Sequence, residues 1–428
     1  MNESTTWMRR SVGVAVWLGS VGLYGCEDPD TGQDASAPDD FRHAYVLDWT
    51  SADLSRDTQE THAGNNLKGS EAYMQSSAAP SSTSPHGWTP QQFQQAYDVP
   101  LTQQDSKPSG YGIKVAIITA YHYGNMQSDL NTWASHFSQR PITLNIINQA
   151  GNITNSSWAL QGNIAVQMVN TVSPGAIVYV IEAKSVSQTD IRTAMQTAVS
   201  LGVNIVSMPF GADETFTEGS QAHLFLSDRV VWIAASGDSD TPSFPATYAD
   251  VIAVGGTTLS SVNPLIETAW VDAGAGMSIV EIMPGYQMIP AVQERNTTTY
   301  RSVPDVAFSA NPQYGAQIFS SGFGGWVVVG GTSVSTAFFT GVVASVNAVR
   351  KSQNLPLLTS VTGQGVSLQD SLYNLMSTNG GPTHSTVLND VVDGIAGAGS
   401  YSAGSGYDIA TGLGSLNVQE FIDYMATQ

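Results

Sequence analysis

Three observations predict an α/β fold with a mainly parallel central sheet and helices on both faces. From Ile113 onward, short runs rich in Val, Ile and Ala alternate with helix-length stretches. These runs lack the polar alternation of a half-exposed strand, so they are strands buried on both faces, as in βαβ units. The 428-residue chain is 42% apolar and only 12% charged, with 41 Gly, which fits a large core with many loops better than a helical bundle.

The elements follow in order. Thr89 before Pro90 is a helix N-cap with Pro at the first helical position, so Pro90 to Tyr97 is predicted helical. Strands are expected over Ile113–Ile118, Ile142–Ile147, Ile177–Glu182, Val203–Met208, Val230–Ala235 and Val251–Val254. Helices are expected over Gln127–Phe137, Trp158–Thr171, Asp190–Ser200 and Glu218–Ser227. Open parallel sheets place their sites beyond the C-terminal ends of the strands.

Three segments are expected. Residues 1–26 read as an export signal: Arg9-Arg10, an apolar stretch from Val12 to Tyr24, then Gly25-Cys26. The stretch is short for a transmembrane helix, which needs about 20 residues. Leu23-Tyr24-Gly25-Cys26 resembles a bacterial lipobox, which would make Cys26 the acylated residue and place the protein in the cell envelope, periplasmic or at the surface. The other reading is an ordinary signal peptide, a secreted protein and an incidental Cys. Cys26 is the single cysteine, which excludes an internal disulfide. Residues 27–87 are rich in Asp, Ser, Thr, Gln, Gly and Pro, and cannot bury enough surface to offset ordering entropy. A disordered polar tether is expected there, with Ala44-Tyr45-Val46-Leu47 as its short apolar run. Residues 88–428 form the ordered domain. The net charge of −20 argues against nucleic acid as a partner, because phosphate contacts need Lys and Arg.

Gly330-Gly331-Thr332-Ser333 precedes an apolar helical run to about Arg350. A Ser on a Gly-rich turn at a helix N-terminus suits a nucleophile, since free N–H groups and the dipole favour developing negative charge. A Ser in that place also suits a plain helix cap.

Further stretches bear on the choice. Thr89-Pro90-Gln91-Gln92-Phe93 is followed by Ser236-Gly237-Asp238-Ser239, Phe244-Pro245-Ala246 and Ala253-Val254-Gly255-Gly256-Thr257. Then come Val303-Pro304-Asp305-Val306, Ala310-Asn311-Pro312, Gly404-Ser405-Gly406-Tyr407-Asp408 and Thr411-Gly412-Leu413-Gly414. In this collinear order, and together with Gly330–Ser333, they resemble the sedolisin family of serine-carboxyl peptidases across nearly the whole ordered region. The resemblance implies a subtilisin-like three-layer fold, peptide or protein substrates or ligands, and an acid-adapted site. It implies Ser333 as nucleophile and Asp238 as an oxyanion-stabilising carboxyl that must be protonated to donate. It also implies a calcium ion held by Asp390 and Asp408 with the carbonyls of Val391, Gly404 and Gly406. An all-oxygen set on Gly-rich turns suits that ion.

The pattern breaks at one point. The family carries a Glu base and an Asp partner four residues apart on one helix. Counting back from Pro174-Gly175-Ala176, those positions fall on Gln161 and Ala165. No Asp or Glu lies between Asp129 and Glu182, so no shift of register restores the pair. A subtilisin-like triad is also missing, since Thr119 stands where its Asp is expected and no His lies between His136 and His223. The usual Pro after the nucleophile is Ala337, and the Trp near the cleft is Phe210. The sequence therefore predicts a pseudopeptidase that binds or scaffolds at the membrane through its lipid anchor. The alternative is an active acid endopeptidase with a substitute carboxylate, for which Glu182, Asp190 and Glu214 are the candidates.

Overall fold

A computed structural model describes residues 42–43, 87–103, 106–214, 225, 229–360, 365–377 and 386–428. Cys26, the expected signal segment, nearly all of the expected tether and most of the helix expected over Glu218–Ser227 lie outside the described residues. The first elements in chain order are the two-residue strand β1 (Arg42–His43), helix α1 (Pro90–Ala96), strand β2 (Lys114–Ala120), helix α2 (Met126–His136), strand β3 (Leu144–Asn148) and helix α3 (Ser156–Val172). Next come β4 (Ile177–Ala183), α4 (Gln188–Ser200), β5 (Ile205–Met208), β6 (Phe210–Asp213), β7 (Val231–Ala235), β8 (Ser243–Phe244) and β9 (Val251–Val262). The later elements used below are β10 (Leu265–Ala269), β11 (Gly276–Ile282), α5 (Pro290–Gln293), β12 (Tyr300–Val303), β13 (Val306–Ser309), α6 (Thr332–Ser352) and α7 (Leu368–Ser377).

The central sheet runs in the order β10-β9-β7-β5-β2-β4-β3, with β13 also paired to β9. Every pairing in it is parallel except β10 with β9. The apolar runs are strands because both of their faces are buried. In β2, Val115 and Ile117 join one core and Ala116 and Ile118 the other. The same alternation recurs in β7, with Val231 and Ile233 on one side and Trp232 and Ala234 on the other. Helices α1, α2, α3 and α6 contribute to the first core and α4 to the second. This is the expected three-layer arrangement. Each fully buried Val, Ile or Leu contributes about 1.5–3 kcal/mol, so the two cores hold the sheet from both sides.

Thr89 caps α1 as expected, in a reciprocal box with Gln92, and Pro90 is its first residue. The strand expected over Val251–Val254 is longer and runs to Val262, because its second half turns back through Asn263-Pro264 to pair with β10. A small separate sheet, β1-β6-β8, lies just after the end of β5. Helix α6 is apolar and long enough to cross a membrane, but 94% of its apolar window is buried in the protein, so it is a core helix.

Candidate active site

The nucleophile candidate sits where α6 begins. Gly331 supplies the turn with φ +109°, a conformation that L side chains rarely adopt, and acts as the helix cap without a side-chain bond. Ser333 is the second helical residue and is fully buried. Its hydroxyl does not cap the helix. Oγ donates instead to the carbonyl of Pro209, at 2.7 Å, between the ends of β5 and β6.

Gln161 meets the same carbonyl. It lies in the second turn of α3, fully buried, and its Nε2 donates to the Pro209 oxygen at 2.6 Å. Its Oε1 accepts no hydrogen bond from the described residues. One carbonyl thus takes two donors, one from each helix. A carboxylate at position 161 would set a lone pair against that carbonyl and would be driven toward the serine hydroxyl. The amide removes that drive, and it cannot take a proton at neutral or acid pH. Ala165, one turn further along the same helix face, is fully buried in the apolar core and offers no polar atom.

Asp238 reaches the site from the turn after β7. Its Oδ1 accepts the Thr332 backbone N–H and the Thr332 hydroxyl, both at 2.8 Å. The first N–H of α6 is therefore capped by a carboxyl from another strand, next to the nucleophile candidate. Oδ2 accepts nothing from the described residues. Burial pushes the pKa up to about 7, against the lowering effect of the two Thr332 bonds and with a smaller push from Asp272. Over the acid range this group is a carboxylic acid, with Oδ2 able to carry a donatable proton.

The carboxylates considered as substitutes are engaged elsewhere. Glu182 is fully buried at the end of β4 and binds His122 Nδ1 at 2.7 Å and the Tyr123 N–H at 3.0 Å. Asp190, in the first turn of α4, accepts the Ser185 hydroxyl at 2.6 Å. Glu214 accepts the Ser278 hydroxyl at 2.5 Å and the Ile279 N–H at 2.6 Å, on β11. Sequence reasoning missed the His122–Glu182 pair because its members are sixty positions apart and no motif joins them.

The candidate metal loop is also brought together. Asp390 accepts the Gly406 N–H, and Asp408 accepts the Gly404 N–H at 2.9 Å and the Thr411 N–H at 2.8 Å. Burial pushes Asp408 up to about 6, against the effect of those bonds. The described residues contain no cluster of three His, Cys, Asp or Glu side chains. A cation here would need carbonyl oxygens such as those of Val391, Gly404 and Gly406 to complete its shell.

Comparison with known proteins bears on this geometry. A model described as the subtilase family matches residues 67–394. Sedolisin of Pseudomonas sp. (strain 101) is 24% identical over 79% of this chain and 61% of its own length. Kumamolisin of Bacillus sp. (strain MN-32) is 28% identical over 78% of this chain and 63% of its own length. The chain thus spans about three fifths of those relatives. The solved structure of Pseudomonas sedolisin, a serine-carboxyl proteinase, covers 80% of this chain and 98% of its own at a TM-score of 0.66 and 22% identity, a likeness of fold. The match to the family model over more than half the chain places this chain in the subtilase family, with the sedolisins.

Proposed function

We propose that this chain is an exported, lipid-anchored sedolisin relative that binds peptide in its cleft without efficiently cleaving it. The observation that carries this reading is the pairing of Gln161 and Ser333 on the Pro209 carbonyl, with Ala165 behind them. The helix position facing the nucleophile candidate holds an amide, and the position that would orient a base holds a methyl group. Loss of the base from a nucleophile–base unit costs on the order of 10⁴–10⁶ in turnover. Cys26 is the proposed acylation site, which would hold the domain on a cell-envelope membrane. Asp390 and Asp408, with the carbonyls of Val391, Gly404 and Gly406, are the proposed calcium ligands, and the ion would tie the C-terminal loop down.

A second reading is favoured by Asp238, whose pKa of about 7 suits an oxyanion donor. On that reading the protein is an acid endopeptidase with its base supplied from elsewhere. Peptide-library cleavage from pH 3 to 7 separates the two. Wild type is expected to be inactive, and Gln161→Glu/Ala165→Asp to gain cleavage that Ser333→Ala abolishes. Wild-type cleavage lost in Ser333→Ala would overturn the pseudopeptidase reading.

A further inference from the structure

We infer that His122, steadied by Glu182, binds a carboxylate of the bound peptide about three positions from the residue seated at Ser333. The inference rests on the peptide-binding reading above and deepens it by naming the class of peptide. Its geometry begins with a row of strand ends. Thr119 of β2 lies opposite Glu182 of β4, and Ile117 lies opposite Ser207 of β5. Two residues beyond that second pair, Thr119 is level with Pro209, whose carbonyl takes both Ser333 and Gln161. Thr119 also meets α3 beside Gln161, since a Cβ on Gly162 would lie 3.7 Å from its Cγ2. Pro209, Thr119 and Glu182 thus form one row across the C-terminal ends of β5, β2 and β4. That is the sheet edge where such folds place their sites. Neighbouring strands lie about 4.8 Å apart, so two steps along the row span about 10 Å. An extended peptide covers that distance in about three residues.

The far end of the row carries a prepared imidazole. Glu182 is fully buried, and its two oxygens take His122 Nδ1 at 2.7 Å and the Tyr123 N–H at 3.0 Å. The His122 side chain stays 29% exposed, so a ligand can reach it. A buried carboxyl on one ring nitrogen fixes the orientation of the ring and leaves Nε2 for a ligand. The backbone is bent to achieve this. Tyr121 has φ +61°, which a bulky side chain rarely adopts, and such outliers gather at working sites. The Tyr121 N–H binds the Ala183 carbonyl at 2.9 Å, which sets the turn against the end of β4. A charged imidazole donates from Nε2, and the exposed Lys184 adjoins the same strand end. The carboxylates on the adjoining elements, Asp129 of α2 and Asp190 of α4, are taken up by the Tyr123 and Ser185 hydroxyls. This strand end therefore offers cationic donors in a chain with 15 Lys and Arg against 35 Asp and Glu. Charges further away are screened beyond about 8 Å, so the local donors select a peptide carboxylate.

The test uses the full chain and a fluorescent nonapeptide library with blocked ends, carrying Asp, Asn or Lys at each position in turn. Binding is followed by anisotropy at pH 5.5, where the charged imidazole is available. At one position Asp should bind about tenfold or more tightly than Asn, as one charge-assisted hydrogen bond allows. His122→Gln should lose that preference and bind the Asn peptides as wild type does. Peptides without Asp, ending in a free or an amidated C-terminus, show whether a chain terminus can supply the carboxylate in place of a side chain. Wild type that binds Asp and Asn peptides equally, or prefers Lys, overturns the inference and leaves the peptide-binding reading standing. So does a preference for Asp that survives in His122→Gln, or a variant that weakens Asp and Asn peptides alike, which would make the pair a brace for the loop. Wild type that binds none of the peptides overturns both the inference and the peptide-binding reading.

Discussion

Two buried aspartates, Asp238 and Asp305, are treated by this protein in opposite ways. Asp305 lies between β12 and β13 with both oxygens filled. Oδ2 takes Arg301 Nη2 at 2.7 Å and the Ala253 N–H at 2.8 Å, and Oδ1 takes the Tyr373 hydroxyl at 2.8 Å. Arg301 in turn donates to the carbonyls of Tyr248 and Val251 and to the Tyr286 hydroxyl. Burial, the largest single influence, works against the guanidinium's charge, but Asp305 together with Tyr286, Tyr373 and Glu281 outweighs it and the pKa is raised. Asp238 has one oxygen filled, by Thr332, and among the described residues its other oxygen accepts nothing. A satisfied buried ion holds architecture together, tying β9 and β12 to the Tyr373 helix α7. A carboxyl left half-satisfied is costly to bury.

The largest effect should come from breaking the satisfied region. Asp305→Ala leaves the Arg301 charge buried without its partner, so the expected cost is about 3–5 kcal/mol, read by urea unfolding. Arg301→Met/Asp305→Leu should cost clearly less, because it removes both charges together. A double variant as damaging as the single one would mean that the network's geometry matters more than its charge.

The half-satisfied region should respond to pH instead. Asp238 has a folded pKa of about 7 against an ordinary value of 3.8. Below about pH 4 it is protonated in both the folded and unfolded states and contributes nothing. Between about 4 and 7 the unfolded chain loses the proton and the folded chain keeps it, so stability falls as pH rises, by at most a few kcal/mol. Asp238→Asn should remove this part of the slope when unfolding is followed from pH 4 to 7.5. An unchanged slope would assign it to other raised carboxyls such as Glu267 and Asp408.

Asp408 lies between the two cases. Backbone N–H groups fill its oxygens, yet its pKa is still raised to about 6. Calcium at a hundredfold excess over its dissociation constant should add about 2.7 kcal/mol of stability. Asp408→Ala should lower the melting temperature and abolish that gain. A wild-type melting temperature unmoved by calcium would remove the metal assignment.

The sequence made the strong-period half of the fold legible and left the rest obscure for physical reasons. β2, β4, β5 and β7 are buried on both faces, so each is an apolar run that can be read directly. β6 is four residues after a proline, and β8 is two, too short for any period to register. The hairpin from β9 to β10 uses Thr and Ser along its length, which reads as loop until the partner strand is known. At the site, counting back from Pro174 gives Gln161 only an expected place, and its shared carbonyl with Ser333 is not legible at all, because Pro209 carries no side-chain signal. The partnership of His122 with Glu182 depends on β2 and β4 being neighbours, which one strand alone does not declare.

The smallest effect sharpens the contrast most. The Thr332 hydroxyl donates to Asp238 Oδ1 at 2.8 Å and lies 3.2 Å from the Gly237 carbonyl. It favours the ionised form of Asp238, as does the Thr332 backbone N–H, and both act against burial. Thr332→Val keeps the backbone bond and the side-chain volume but removes the hydroxyl, at a stability cost of about 1 kcal/mol. With one donor fewer, the Asp238 pKa should move above its wild-type position. The pH window over which stability declines should then extend to higher pH, as seen by urea unfolding in small pH steps. If the window ends where it does in wild type, the backbone N–H alone holds the carboxyl. The helix N-terminus, rather than the hydroxyl beside Ser333, would then set the proton affinity of Asp238.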